Sequence, residues 1–361
     1  MSGPLRIGMF STSQPEPHRK PGGVDVLVDR VSRRLADRGH EVRVFSYSPR
    51  PAGARYDHVG LRPRRLATSR TGRAAIAPLL LNRMDTDGLD VLHLHGDDWL
   101  YVRRPLPTVR TFYGSALDEA RTATRPRRRA SQLVIFLLEV LASRLATATY
   151  ALTPERDGVY RPRGALGCGV ELRPAAADDR AAEPTVLFVG TWSGRKRGRL
   201  LARAFAEEIL PRHPTAQLVM VSDRVEAGPG VRWIDRPGDE QLEELYRSAW
   251  LFCLPSAYEG LGIPYLEAMA HGTPVVATPN PGAEHLLAKG AGVVTPPERL
   301  GRTLADLLDD PARRGQLARR ALERAAAFDW DTVCAQYERA YHAAIELHAA
   351  PIRRRARLQP R

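Results

Sequence analysis

Lysine is nearly missing from this chain. Of 54 basic residues in 361, only Lys20, Lys196 and Lys289 are lysines. The net charge of +13 is therefore almost wholly arginine. A general arginine- and alanine-rich composition explains that charge as well as a dedicated nucleic-acid surface does. Aromatic residues make up only 7% of the chain, and none interleave with the arginine clusters as a base-stacking platform requires. Zinc-finger and RNA-recognition signatures are also missing. No nucleic-acid partner is expected. Cysteine is scarce too: Cys168, Cys253 and Cys334 are far apart and have no metal-ligand spacing, which excludes a disulfide scaffold. The longest apolar run, Leu133 to Leu138, is cut by Glu139 and is too short to cross a bilayer. MSGPLRIGMF enters a strand directly, without the segments of a signal peptide. These features lead us to expect a reduced, cytoplasmic protein.

What the chain does contain is two domains' worth of residues, 43% of them hydrophobic, in alternating strand and helix patterns. The most informative stretch is RSAWLFCLPSAYEGLGIPYLEAMAHGTPVVAT, from Arg247 to Thr278. Trp250 to Leu254 reads as a buried strand. Ser256 to Gly262 reads as a glycine-bearing loop. Pro264 suits the first turn of a helix that runs to His271 and stops at Gly272. Pro274 to Ala277 reads as the next strand. In open parallel sheets, ligands sit at this kind of loop.

Glu259 and Glu267 lie eight positions apart. On a continuous helix they would be ~12 Å apart, which suggests two separate grips rather than one acid–base dyad. Gly260 and Gly262 let the backbone approach a ligand closely, and free N–H groups at a helix start favour an anion such as a diphosphate. A carboxylate one turn into the helix suits a ribose diol, and one in the loop suits sugar hydroxyls. Together they describe a nucleotide-sugar site.

This run resembles the donor-site signature of family 4 glycosyltransferases, through Glu-x7-Glu, the intervening GLGIPYL and the following EAMAHGTPVVAT. GGVDVLVDRVSRRLADRGHEVRVF, from Gly22, is similar to the family's N-terminal motif, with Asp25 where Gln or Glu is more usual. The resemblance implies a GT-B fold: α/β, with two Rossmann-like parallel-sheet domains facing a cleft. It also implies retaining, metal-independent transfer. The expected partners are a nucleotide sugar donor and a small-molecule, saccharide or lipid-linked acceptor, with no cofactor. Domain bounds of 1–173 and 185–339 are expected, with a linker at 174–184 and a terminal segment, 340–361, returning towards the first domain.

Along the chain, Leu5 to Phe10 reads as a strand. Gly22 and Gly23 open a helix with apolar positions Val24, Leu27, Val28, Val31 and Leu35. Pro49 to Leu66 reads as irregular, and Thr71 to Met84 as a helix. Asp85-Thr86-Asp87 matches a metal-binding DxD, but the following Asp87-Gly88 pair reads better as a turn. His93 and His95 share one strand face, with Asp97 and Asp98 beyond its end, and Thr108 to Phe112 runs into Tyr113. Arg121 to Ala130 reads as a basic loop, and Ser131 to Ala146 as an apolar core helix. That basic loop keeps peripheral contact with the inner membrane face open. After a strand from Thr185 comes the loop TWSGRKRG. PNPGAEHL reads as a further loop, which the resemblance places near the donor site, and the arginine-rich end after Pro351 reads as mobile.

The resemblance assigns roles as follows. Glu259, Lys196 and His95 are the catalytic candidates. Gly23, Thr191, Arg195, Lys196, Glu259, Gly260, Leu261, Gly262, Ile263 and Glu267 are the donor-binding candidates, with Thr191 standing where the family carries an arginine. His95, Asp97 and Tyr113 are the acceptor candidates, and Tyr113 stands where the family often carries a histidine. No metal ligand is expected. The rival readings are a non-catalytic nucleotide-sugar-binding protein, a GT-B epimerase or phosphorylase, and, on charge alone, a nucleic-acid-binding protein.

Overall fold

The computed structural model describes residues 3–16, 22–62, 77–122, 126–153 and 158–358. Several expectations lie outside them: Lys20, Arg125, residues 71–76 of the helix expected from Thr71, and the helix start at Pro154 and Glu155.

The chain forms two compact units. One comprises Met1–Gly169 with Trp330–Arg361, and the other Val170–Asp329. The first contains β1 (Arg6–Phe10), α1 (Gly23–Asp37), β2 (Glu41–Ser46), β3 (Asp57–Gly60), α2 (Ala77–Leu80), β4 (Val91–Leu94), β5 (Thr108–Phe112), α3 (Ala116–Thr122), α4 (Pro126–Leu145) and β6 (Ala148–Ala151). Its strands are all parallel, in the order β3-β2-β1-β4-β5-β6. The second contains β7 (Thr185–Val189), α5 (Gly198–Ala204), β8 (Gln217–Val221), β9 (Val231–Ile234), α6 (Asp239–Ser248), β10 (Leu251–Leu254), α7 (Ile263–Ala270), β11 (Val275–Ala277), α8 (Pro281–Leu286), β12 (Val293–Val294), α9 (Leu300–Asp309) and α10 (Pro311–Ala325). Its parallel order, β12-β11-β10-β7-β8-β9, repeats that of the first. The central strands are near-continuous apolar runs because helices cover both faces of each sheet. Ile7, Met9, Val91, Leu92, Val186, Leu187 and Leu251 to Leu254 are all fully buried.

In each sheet the order reverses at one place, between β1 and β4 and between β7 and β10. Ligands bind outside the carboxyl ends of strands at such a switch point.

The last helix, α11 (Trp330–Leu358), belongs to the first unit. Arg38 holds it through Glu338 (2.7 Å) and Asp331 (3.0 Å). Tyr337 donates its hydroxyl to the Gly167 carbonyl, and the Tyr341 hydroxyl lies 2.9 Å from His93 Nδ1. The unit boundaries thus fall at 169/170 and 329/330, where the sequence suggested 173 and 339. The stretch read as a linker, 174–184, is fastened to the second unit. Ala175 N–H donates to His271 O, Ala181 N–H donates to Ser248 O, and Arg180 donates to Thr273 and Gly272.

Other expectations need correction. The region from Pro49 contains strand β3, a four-residue edge strand exposed along most of its length, so it carries no apolar alternation to read. Among the described residues of the Thr71–Met84 helix, only α2 and a 3-10 turn over Leu81–Arg83 are helical. Arg127 to Arg129 are not in a loop but form the first turn of α4. That helix is not core all round, since Leu133, Val134, Leu137 and Leu141 are exposed. PNPGAEHL is mostly helix α8, capped by Asn280. Helix α11 continues through Pro351 to Leu358.

The His93–Tyr341 contact ties the last helix to the middle of the first sheet. Tyr341→Phe should leave the buried Nδ1 without its partner and lower stability by about 1–3 kcal/mol. Urea denaturation of the full chain measures this; an unchanged midpoint would show that the contact contributes nothing.

Candidate functional site

In the second unit, the switch point is bounded by the loops after β7 and β10. The first carries Lys196 in a 3-10 turn (Gly194–Lys196), and the second carries Glu259. The Glu259 carboxylate is 7% exposed. Lys196 Nζ lies 2.7 Å from its Oε1, and Arg195 Nη1 lies 3.2 Å from its Oε2. A carboxylate removed from water needs such partners. The two loops also join through backbone, with Ala257 N–H donating to Arg195 O at 2.8 Å. Arg195 reaches the Tyr258 carbonyl as well. Thr191 turns its hydroxyl back onto Ser193 O at 3.0 Å, closing its own loop. Arg197 lines an open cavity of about 500 Å³ with Trp192, Arg199 and Glu298.

The loop Glu259–Gly262 runs into the start of α7. Gly262 sits at φ +83°, where a Cβ would fall 2.3 Å from the Tyr265 ring, so only glycine fits. Gly260, Leu261 and Ile263 form the rest of this turn, with Leu261 buried. The orphan N–H groups of a helix start, with the dipole behind them, favour an anion here. Glu267 lies one turn further on, half-buried, and accepts the Tyr246 hydroxyl at 3.0 Å.

A third loop supports this one. Asn280 caps α8 through Ala283 N–H and donates to Ser256 O, Thr278 O and the Tyr265 hydroxyl. Gly282 donates its N–H to Glu259 O at 2.9 Å, so close that a Cβ there would meet Leu261 O at 2.5 Å. Asn280 and Gly282 were not singled out from sequence. The Asn-Pro-Gly run was the available signal, an Asn cap with proline in the first turn.

In the first unit, the corresponding loops follow β1 and β4. Thr12 Oγ1 donates to Asp97 Oδ2 at 2.5 Å and joins them. Asp97 holds a left-handed conformation at φ +51°, uncommon outside glycine. Gly23 opens α1 beside the same edge, and Asp25 accepts both the Gly22 N–H and the Ser13 hydroxyl. Gly23 thus belongs to the first unit, whereas the other donor candidates belong to the second.

The two histidines differ. His93 is fully buried and engages both ring nitrogens, Nδ1 with Tyr341 and Nε2 with Thr111 (2.8 Å). This is a satisfied core histidine. His95 is 5% exposed; its Nδ1 meets the Tyr113 hydroxyl, and its Nε2 has no hydrogen-bond partner among the described residues. The two imidazole centroids lie 3.9 Å apart, with the rings tilted by 31°. Burial pushes His95 down to about 3, against a small opposing pull from Asp98, and pushes His93 well below its ordinary value. Burial also holds the Tyr113 phenol well above its ordinary range. The Tyr113 bond occupies Nδ1 and leaves Nε2 as the open ring nitrogen.

Asp98 points elsewhere. It is fully buried between Arg110 Nε (2.8 Å) and Arg104 Nη2 (3.1 Å), and both guanidiniums hold its carboxyl below the usual range despite burial. Asp85 accepts the Asp87 N–H at 3.0 Å, so the DxD match is an Asx turn closed on itself.

Two family models match the chain. Glycosyltransferase Family 4 matches residues 21–155, and Glycosyl transferases group 1 matches residues 183–310. A D-inositol 3-phosphate glycosyltransferase of Corynebacterium efficiens is 27% identical, over 93% of this chain and 95% of that one. Among solved structures, sucrose-phosphate synthase of Thermosynechococcus elongatus superposes with a TM-score of 0.76 at 22% identity, covering 95% of this chain and 99% of that one. HepE of Anabaena, solved with UDP and glucose, gives 0.72 at 17%, covering 93% and 98%.

Two predictions follow from the geometry. Gly282→Ala should push the Glu259–Leu261 backbone out of place and destabilise the second unit by about 1–3 kcal/mol; a melting temperature equal to wild type would show that the loop yields freely. The second concerns acid. His93 and His95 are neutral in the fold, whereas unfolded imidazoles gain protons below about pH 6.5. Stability should therefore be full above that value and decline as pH falls through it. Urea midpoints at about pH 7.5 and about pH 5 measure the slope, and His93→Gln with His95→Gln should make it shallower, the remainder coming from His58, His271 and His285, which burial also lowers.

The repeated 3-2-1-4-5-6 strand order in two parallel sheets, with the two family matches spanning most of the chain, makes this protein a member of glycosyltransferase family 4, an enzyme of the GT-B fold.

Proposed function

We propose that the chain transfers a hexose-type sugar from a nucleoside diphosphate sugar, with retention, to an acceptor hydroxyl or amine, in the cytoplasm and without a metal ion. One observation carries this reading: the Glu259 carboxylate held between Lys196 and Arg195 at the start of α7. A diphosphate leaving group needs positive charge close to its bridging oxygen, and a sugar needs a fixed hydrogen-bond acceptor beside it. Lys196 supplies the first, together with the N–H groups of Gly260 to Ile263, and Arg195 adds charge where Thr191 cannot. Glu259 supplies the second. Glu267, one turn along α7, takes the ribose diol and is oriented by Tyr246.

The bond from the anomeric carbon to the leaving phosphate oxygen breaks through an oxocarbenium-like state, the acceptor oxygen or nitrogen bonds to that carbon from the same face, and its proton passes to the departing phosphate oxygen. That route needs no enzymic nucleophile, so Glu259 positions and stabilises. HepE of Anabaena binds UDP and glucose, and D-inositol 3-phosphate names the acceptor of the Corynebacterium efficiens relative. Both support a nucleotide-sugar donor and a polyol, saccharide or lipid-linked acceptor for this chain. In the first unit, His95 Nε2, Asp97 and Tyr113 offer one imidazole nitrogen, one carboxylate and one phenol, a set suited to hydroxyl groups. The three buried thiols fit a reducing compartment.

Thermal shift against UDP, GDP, ADP, dTDP and their sugar conjugates, without added metal, tests the donor assignment. One nucleotide family should raise the melting temperature. With that donor, Glu259→Ala and Lys196→Ala should each lower transfer at least about tenfold while the fold survives. No shift with any nucleotide, or near-wild-type rates from both variants, would overturn the reading.

A further inference from the structure

The first turn of α8 gives one of its backbone donors to the loop that carries Glu259. Pro281 has no N–H. Ala283 N–H is taken by Asn280 Oδ1 at 3.0 Å, and Glu284 N–H by Asn280 O at 3.0 Å. Gly282 N–H lies between them and donates to Glu259 O at 2.9 Å. The turn that Asn280 caps thus holds the main chain of Glu259 directly. Gly282 is also packed hard on that residue, since a Cβ there would lie 3.1 Å from Glu259 Cβ.

The buried Asn280 side chain reaches the same loop by a second route. Its Nδ2 faces Thr278 O at 2.9 Å, the Tyr265 hydroxyl at 3.2 Å and Ser256 O at 3.3 Å. Ser256 opens the loop that carries Glu259, and Tyr265 stands in the first turn of α7, where that loop ends. Thr278 Oγ1 donates to the Ser256 carbonyl as well, at 2.8 Å. Burial holds the Tyr265 phenol above its ordinary range. It therefore keeps its proton, which it donates to Leu254 O at 2.9 Å while accepting from Asn280. Two facing carbonyls on one side and an N–H on the other leave a single orientation for the amide.

We propose that Asn280 is a positioning residue for Glu259, holding both ends and the middle of its loop so that the carboxylate meets the sugar of the donor. The proposal rests on Glu259 being the sugar grip. Capping alone does not account for Asn280. Asp, Ser and Thr also accept a helix N–H, and none of them carries an NH₂ beside its acceptor for the buried oxygens here. The ion pairs to Lys196 and Arg195 fix the carboxylate end of Glu259. Gly282 N–H and the Asn280 amide fix its main-chain end. Both ends matter, because misplacing a group by about 1 Å can cost its function up to about a hundredfold.

Titration calorimetry on the full chain tests it. The probes are the nucleoside diphosphate selected from UDP, GDP, ADP and dTDP, and its sugar conjugate. Asn280→Ser keeps a capping oxygen and removes the amide. It should weaken the sugar conjugate at least about fivefold and leave the bare diphosphate within about twofold of wild type. Glu259→Ala should weaken the conjugate and not the bare diphosphate, and the double variant should lose no more than Glu259→Ala alone. Tyr265→Phe leaves the cap and the amide in place and should reproduce the pattern in weaker form. It carries the test if Asn280→Ser does not fold. Wild-type conjugate affinity in the folded variant, equal weakening of both probes, or losses that multiply in the double variant would overturn the proposal and leave the sugar grip standing. If Glu259→Ala shows no loss specific to the conjugate, the sugar grip itself falls, and the proposal with it.

Discussion

The ion pair between Lys196 and Glu259 depends on the topology around it, and the proposed chemistry depends on the ion pair. A carboxylate this well buried is costly without a cation, and a lysine can reach it only if the loops after β7 and β10 open on the same edge of the sheet. They do because β7 and β10 are hydrogen-bonded neighbours running in parallel, with the strand order reversing between them. An antiparallel partner would send one loop to the far edge. The crevice at that reversal is thus where two loops from separate parts of the chain, some sixty positions apart, can share a charge.

The first unit uses the same strand order with different chemistry at the reversal. Its joining contact is a hydroxyl donated from Thr12 to Asp97, and the neighbouring groups are Ser13, Asp25, Tyr113 and a neutral imidazole. The second unit presents Lys196, Arg195 and a helix start. One edge suits an anion with a sugar attached, and the other suits hydroxyl groups. The partition of charge between two similar folds is what divides the proposed donor and acceptor roles, since the folds themselves offer no such distinction.

Much of this could be read from the sequence, and for physical reasons. Buried parallel strands are short apolar runs, so β1, β5, β7 and β10 were visible within a residue or so. The Pro264 start and Gly272 stop of α7 were visible because each residue type has a backbone property that the turn needs. What escaped depended on exposure or on distant partners. Strand β3 is an exposed edge whose pairing comes from β2 rather than its own pattern. The outward side of α4 escaped because an apolar helix reads as core until the neighbours that fail to cover it are known. Asn280 and Gly282 escaped because their value lies in the Glu259 loop, far away in sequence. The partners that make His93 a core histidine, Tyr341 and Thr111, escaped because no local pattern reports them.

The scarcity of lysine returns at position 196 with a structural meaning. Arginine serves this chain wherever a fork can lie flat, as at Arg110 over the Phe112 ring (3.9 Å) or at Arg38 across Glu338 and Asp331. Position 196 is a different setting. The side chain there is 19% exposed, sits in a single tight 3-10 turn and must meet one oxygen of Glu259 while the other is left to Arg195. A planar guanidinium would claim both oxygens and exclude its neighbour. A compact ammonium with three rotatable donors shares the carboxylate and keeps donors for a second oxygen nearby. A residue that can hold Glu259 and a diphosphate together suits a site in which the sugar grip and the leaving-group charge must be met side by side.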